Sequence, residues 1–255
     1  MKLEFPLGQW TGIAVYDDVM DKNVCQNLID LVERHATRLE EMDVLKPGRM
    51  VGGLKESIKN STDMAISAAM GDELYAMGDG WFERQIHEGL VKCVNHYINQ
   101  YPGLSDQSFP LQDTGYQFQK YDVGYGKYDE HIDGGPFGTS FDRMLAVIVY
   151  LNDVDEGGET TFTRQELSIK PVAGRVLVFP CHWLYPHRGE ISFDVDKYIV
   201  TTFVMQEDLN YLVERPPEIQ DHFHDHFQES DDDHGHHHDH GHHHDHDHHH
   251  EGDVQ

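Results

Sequence analysis

Only three of the 255 residues are cysteine, Cys25, Cys93 and Cys181, and no two of them are spaced as Cys-x-x-Cys. An odd, widely spread set does not make a disulfide framework; it points to free thiols in a reducing compartment, so an intracellular, cytoplasmic location is expected. Long apolar runs are also missing. No stretch approaches the roughly 20 residues that a membrane helix needs, and the opening Met-Lys-Leu-Glu-Phe-Pro lacks the apolar centre of a signal peptide. Positive charge is scarce, with 19 Lys and Arg against 46 Asp and Glu and a net charge of −27. A surface this acidic repels phosphate backbones and anionic lipid, which excludes charge-driven binding to nucleic acid or membrane.

What is present is enough for a core: 38% hydrophobic and 11% aromatic residues in a chain long enough for one large domain. Residues 1–112 read as a mostly helical support region. Asp21 is a plausible N-cap, and Val24, Leu28, Leu31 and Val32 fall on one face of a 3.6-residue spiral. A second helical pattern, Phe82, Ile86, Leu90, Val94, Tyr97, Ile98 and Tyr101, stops at Pro102-Gly103. Between them, Lys46 to Ser61 carries Pro47, Gly48, Gly52 and Gly53 and reads as an irregular loop.

From Thr114 the apolar period changes to two. Tyr116, Phe118, Lys120 and Asp122 alternate with Gln117, Gln119 and Tyr121, as in a strand with two different faces. Leu145 to Leu151 is apolar on both faces and rich in β-branched residues, which predicts a central strand covered on both sides. Short candidates follow at Glu159–Phe162, Leu167–Pro171, Val176–Phe179 and Tyr198–Met205. The expected fold is mainly β with some α: a jelly roll, or double-stranded β-helix, over residues 113–210, buttressed by N-terminal helices as part of the same domain. Residues 211–220 read as a linker. The segment 221–255 holds 15 of the 21 histidines and 11 acidic residues with no Lys or Arg, too polar to fold and expected to be disordered.

His131-Ile-Asp133 lies at the end of a predicted strand, where residues i and i+2 share a face and both side chains can reach one metal ion. A third ligand must come from elsewhere, and His187 and His182 both qualify. Two His and one carboxylate on one triangular face leave three positions open, the arrangement of non-haem Fe(II) oxygenases. Lys197, in an otherwise apolar β-branched strand, needs a partner because an isolated buried ammonium is costly. Asp194 and Asp196 are its only sequence neighbours of opposite charge, and a bound dicarboxylate would serve equally.

The series Tyr121, Gly124, Tyr128, His131-x-Asp133, Arg143, Tyr150-Leu-Asn152, Glu156-Gly-Gly-Glu-Thr160, Pro171-x-x-Gly174-Arg, Val178-Phe179, His187-x-Gly189 and Lys197-Tyr198 resembles the prolyl 4-hydroxylase family of Fe(II)/2-oxoglutarate dioxygenases over about residues 112–206. The resemblance implies His131, Asp133 and His187 as iron ligands, and Lys197 as the cation that grips the distal carboxylate of 2-oxoglutarate. It puts Tyr121, Tyr150, Thr160 and Thr201 on the cosubstrate wall, and Tyr128 and Arg143 at substrate-handling positions. The cosubstrates implied are 2-oxoglutarate and O2, with ascorbate as a possible reductant for oxidised iron, and the products include succinate and CO2. The carboxylate of Asp133, which related halogenases lack, implies hydroxylation. Lys at position 197, rather than Arg, resembles the collagen-type and algal members. Phe203 stands where the family commonly carries Trp. Trp183, beside His187, is then a candidate substrate-side aromatic, with ordinary core packing as its other reading.

Substrate choice is expected in the loops Asp122–Asp129, Gly134–Asp142 and Asn152–Gly158. A prolyl residue of a peptide or protein is the implied substrate, with a free amino acid or small metabolite as the alternative. The tail suits an additional divalent metal, which also suggests a non-catalytic metal-buffering protein acting through it. A cupin that binds metal without 2-oxoglutarate is a third reading. The oligomeric state is not encoded in any of these features.

Overall fold

A computed structural model of the chain describes residues 1–48, 55–66, 81–105, 111–134 and 143–206. The expected linker and His-rich tail lie outside them, as do residues 135–142 of one expected substrate loop.

Two antiparallel sheets face each other across a shared interior. The larger has nine strands: β1 (Lys2–Glu4), β2 (Ala14–Asp17), β12 (Val176–Pro180), β9 (Arg143–Tyr150), β14 (Lys197–Gln206), β7 (Tyr116–Tyr121), β5 (Thr62–Ile66) and β3 (Lys46–Pro47) in that order, with β6 (Leu111–Asp113) pairing the far end of β14. The smaller has the order β11 (Leu167–Ile169), β10 (Thr160–Phe162), β13 (His187–Gly189), β8 (Lys127–His131) and β4 (Lys59–Asn60).

Strand β9 shows why the larger sheet is buried on both faces. Leu145, Val147 and Val149 join one apolar cluster, whereas Ala146, Ile148 and Tyr150 join a second one between the sheets. The period-two pleat sends alternate side chains to opposite faces, and both faces here are apolar. The first cluster is completed by helices α1 (Lys22–Glu41) and α2 (Trp81–Asn99), through Leu28, Leu31 and Val32 of the one and Phe82, Ile86 and Leu90 of the other. Asp21 caps α1 as expected, its Oδ1 accepting from the Asn23 N–H at 2.7 Å. The second helix ends at Asn99, and Pro102–Ser105 form one further turn, α3.

The N-terminal region contains the expected helices and, beyond that expectation, strands of both sheets. Residues 1–66 hold five strands as well as α1, and β2 pairs directly with β12 near the middle of the large sheet. The Lys46–Ser61 segment, read as a loop, contains β3 and β4. These strands are two to five residues long, too short to show a period, and are formed by pairing with partners distant in sequence.

Candidate metal centre and cosubstrate cavity

Strands β8 and β13 pair with His131 and His187 as Cα partners, so two imidazoles 56 positions apart in sequence project side by side. Their ring centroids are 4.3 Å apart. His187 therefore occupies a strand of its own rather than a connection between strands. Strand β8 ends at His131, and the bend that follows carries Asp133 back towards both rings. Asp133 Oδ1 lies 3.5 Å from His131 Nε2, and its Oδ2 lies 3.4 Å from His187 Nε2. One ligand atom from each residue falls within 4.8 Å of the others, a spacing that a single ion can bridge. His182, the rival ligand, is exposed and sets its ring edge-on against Tyr185.

The backbone prepares the two rings for a metal. His131 Nδ1 faces the Asp129 carbonyl at 2.8 Å, and His187 Nδ1 faces the Tyr185 carbonyl at 3.1 Å. An Nδ1–H donated to a carbonyl leaves the Nε2 lone pair free, and both Nε2 atoms point at Asp133. Burial by itself raises the Asp133 carboxyl, but the His187 and His131 rings and Arg143 outweigh it and bring its pKa down to about 2. Burial pushes the His187 imidazole downward, towards the neutral form that ligates metal. The ring of Tyr128 stacks on His131 at 3.5 Å between centroids, and Phe162 and Phe179 close on His187. The donor set fits a divalent ion of the iron type: two imidazole nitrogens and one carboxylate gathered on one side.

The same cavity, of about 180 Å3, reaches from these three residues to Lys197. Lys197 is 2% exposed. Its Nζ donates only to carbonyls, those of Gly158 at 3.1 Å and Glu190 at 3.3 Å, and sits 4.6 Å from the centre of the Tyr121 ring. Among the described residues it has no carboxylate within ion-pair distance; burial draws its pKa down to about 8, although Glu159 and Glu190 pull the other way. Asp196, the neighbour in sequence, instead pairs with Lys120 at 3.3 Å. The turn that supplies the Gly158 carbonyl requires glycine: Gly157 and Gly158 have φ of 76° and 74°, and a Cβ on Gly157 would strike the Ile191 carbonyl.

Tyr121, Tyr128, Tyr150, Thr160 and Thr201 all line this cavity, with the Tyr150 hydroxyl donating to Thr160 Oγ1 at 2.7 Å. Arg143 lines it as well, donating to the Asp133 carbonyl at 3.2 Å while its guanidinium lies 3.7 Å from the centre of the Phe203 ring. Trp183 is not among the lining residues. It is 63% exposed, with the Arg164 guanidinium 5.9 Å from its ring, so its reading as core is corrected and it lies outside the cavity. Its strand-flanking loop faces solvent, where no apolar layer covers it.

Five lining or supporting residues escaped the sequence reading. Lys59 and Asp63, both 4% exposed, form an ion pair of 2.6 Å. Asp63 also accepts from Ser61 at 2.7 Å and from Gln117 Nε2 at 3.1 Å. Gln119 links onward, donating to Gln117 Oε1 and to Thr201 Oγ1 and accepting from the Tyr121 hydroxyl. The available signal was Lys59-x-Ser61-x-Asp63, three polar residues at strand spacing across the end of a segment whose glycines suggested a loop.

Residues 116–205 match the 2OG-Fe(II) oxygenase superfamily. The probable prolyl 4-hydroxylase 11 of Arabidopsis thaliana is 27% identical over 187 residues, which cover 69% of this chain and 61% of that protein. The chain thus spans less than two thirds of the length of this plant relative. Two solved structures share the fold. The viral collagen prolyl hydroxylase of Paramecium bursaria Chlorella virus-1, in a 2OG complex, has a TM-score of 0.54 at 18% identity, covering 77% of this chain and 97% of that one. A prolyl hydroxylase of Trichoplax adhaerens, in complex with a hypoxia inducible factor oxygen degradation domain peptide fragment, has a TM-score of 0.57 at 18% identity, covering 80% and 88%.

Proposed function

We propose that this chain, which matches the 2OG-Fe(II) oxygenase superfamily over residues 116–205 and is similar to plant prolyl 4-hydroxylases, belongs with the latter and hydroxylates a C–H bond of a prolyl residue in a peptide or protein. The observation that carries the reading is one cavity holding both the His131, Asp133 and His187 cluster and a buried lysine with no carboxylate in ion-pair distance among the described residues.

His131, Asp133 and His187 would hold Fe(II), which together with 2-oxoglutarate and O2 supplies the oxidation that turns C–H into C–OH and releases succinate and CO2. The chain's own residues do the placing. Lys197 would bind the distal carboxylate of 2-oxoglutarate through the donor capacity that its two carbonyl contacts leave unused. The Gly158 and Glu190 carbonyls hold the ammonium in place before the ligand arrives, so little side-chain freedom is lost on binding. Tyr121 and Tyr150 wall the cosubstrate, and the apolar rings of Phe162 and Phe179 keep water from the rear of His187. Tyr128, stacked on His131, and Arg143, flat against Phe203, lie where a substrate ring would approach. Ascorbate would restore iron oxidised in turnovers without substrate.

A reducing, intracellular setting belongs to the same proposal, and three buried free thiols support it. No helix among the described residues is long and apolar enough to cross a membrane. The His-rich segment 221–255 would bind additional divalent metal at its own ligands.

Anaerobic addition of Fe(II) and then 2-oxoglutarate tests the site: a weak visible charge-transfer band should appear in the full chain and be absent from His187→Ala. Succinate release on addition of proline-containing peptides, and not of free proline, tests the substrate. A band without succinate release from any peptide would leave the site standing and refute the prolyl assignment.

A further inference from the structure

The cavity contains a second buried lysine whose circumstances differ from those of Lys197. Lys59 lines the same space from the edge strand of the smaller sheet, but its charge is already met by Asp63 at 2.6 Å. The pair begins a directed chain of hydrogen bonds. Asp63 accepts from Lys59, Ser61 and Gln117; Gln117 accepts from Gln119; and Thr201 accepts from Gln119 at 3.3 Å. Gln117 and Thr201 are Cα partners across β7 and β14, so their side chains emerge together on the inner face.

The chain determines what each group has left to offer. An ammonium has three N–H donors, and Lys59 spends one of them on Asp63. A primary amide has two, and Gln117 spends one on Asp63. The Thr201 oxygen accepts from Gln119, which leaves its hydroxyl proton to donate. The wall therefore presents donors to the cavity, beside an ion pair whose charges cancel. A carboxylate arriving there would put a second anion against Asp63 around one ammonium. A neutral carbonyl oxygen takes the donors at no such cost.

We propose that Lys59 and Gln117, at the head of the hydrogen-bond chain that reaches Thr201 on the cosubstrate wall, form a subsite for a backbone carbonyl of the peptide flanking the oxidised residue. The inference rests on the hydroxylase reading above and deepens it: the subsite selects peptide-bound substrate over a free amino acid, whose carboxylate it would reject. Lys197, with no carboxylate beside it, is left for the cosubstrate anion.

The test is equilibrium binding, by fluorescence anisotropy, of labelled proline peptides to the full chain loaded with Mn(II) and 2-oxoglutarate. Peptides in which one flanking amide at a time is replaced by an alkene isostere lose a single carbonyl without gaining charge. The unmodified chain should bind the parent about ten-fold more tightly than one of these isosteres. In Gln117→Met that preference should collapse to near unity, and likewise in the charge-neutral double variant Lys59→Met with Asp63→Leu, which serves if the single change perturbs folding. The subsite is refuted if no isostere loses affinity, or if both variants keep the preference while succinate release with the parent peptide continues. Absence of both peptide binding and peptide-dependent succinate release from the unmodified chain would refute the prolyl reading, and the subsite with it.

Discussion

Lys59 and Lys197 line one cavity at almost the same depth, 4% and 2% exposed, and the protein treats them in opposite ways. Lys59 stands on a two-residue edge strand with a carboxylate at 2.6 Å, which Ser61 and Gln117 also hold. Lys197 stands on a ten-residue central strand and, among the described residues, meets two carbonyl dipoles and the Tyr121 ring but no carboxylate. A buried ammonium without a counter-ion is costly in the empty protein, and burial accordingly draws Lys197 down to about 8. In charge the region around Lys59 is complete by itself, whereas the region around Lys197 is completed by an anion from outside. Burial of a charge therefore does not mark an anion site; the missing counter-ion does.

Four experiments break or sharpen this contrast, taken from the largest expected effect to the smallest. Lys59→Met alone should strand Asp63 as a buried unpaired carboxylate and destabilise the fold by about 3–5 kcal/mol, read as a fall in the denaturation midpoint, with Asp63→Leu added to it recovering most of the loss. Lys197→Ala should leave no such orphan. Its effect should fall on the cosubstrate instead, raising the 2-oxoglutarate KM on the order of 10- to 100-fold, since charge-assisted hydrogen bonds are worth about 1.5–3 kcal/mol. If the two variants exchanged these phenotypes, the distinction between the lysines would fail.

The third is a pH profile. Lys197 binds its proton less tightly in the folded protein than in the unfolded chain, its pKa falling from 10.5 to about 8. Between those two values the unfolded state carries more protons, so the contribution of this group to stability rises with pH across the window. Cosubstrate binding runs in the opposite sense, because the anion needs the ammonium. The 2-oxoglutarate affinity of the metal-loaded chain should weaken above about pH 8, and the weakening should vanish in Lys197→Ala. Smallest of all, deletion of residues 221–255 should lower the number of divalent ions bound while leaving succinate release per folded molecule unchanged. Loss of turnover on that deletion would favour a protein that works through its tail.

How much of this was legible beforehand varied along the chain. The α1 cap, the helical period of α2 and the two-faced strand β9 follow from local spacing and were readable. So was the His131-x-Asp133 pair, from its residue types and spacing, whereas His187 was separated from its rival His182 only by what the family resemblance implies. The strands of the first 66 residues were not readable: each is too short for a period, and β2 exists because β12 pairs with it. Trp183 misled because an aromatic next to a ligand suggests a wall, whereas its loop leaves it 63% exposed.

By itself the sequence determined the acidic charge balance, the switch from a helical to a strand period near Thr114, and which residues could ligate a metal or grip an anion. Only the tertiary structure decided that His131 and His187 are cross-strand partners, that Lys59 has its carboxylate, and that Lys197 has none among the described residues. The physical reason is range: periodicity and residue chemistry are local properties of the chain, whereas pairing and the compensation of buried charge depend on which distant segments the sheets bring into contact.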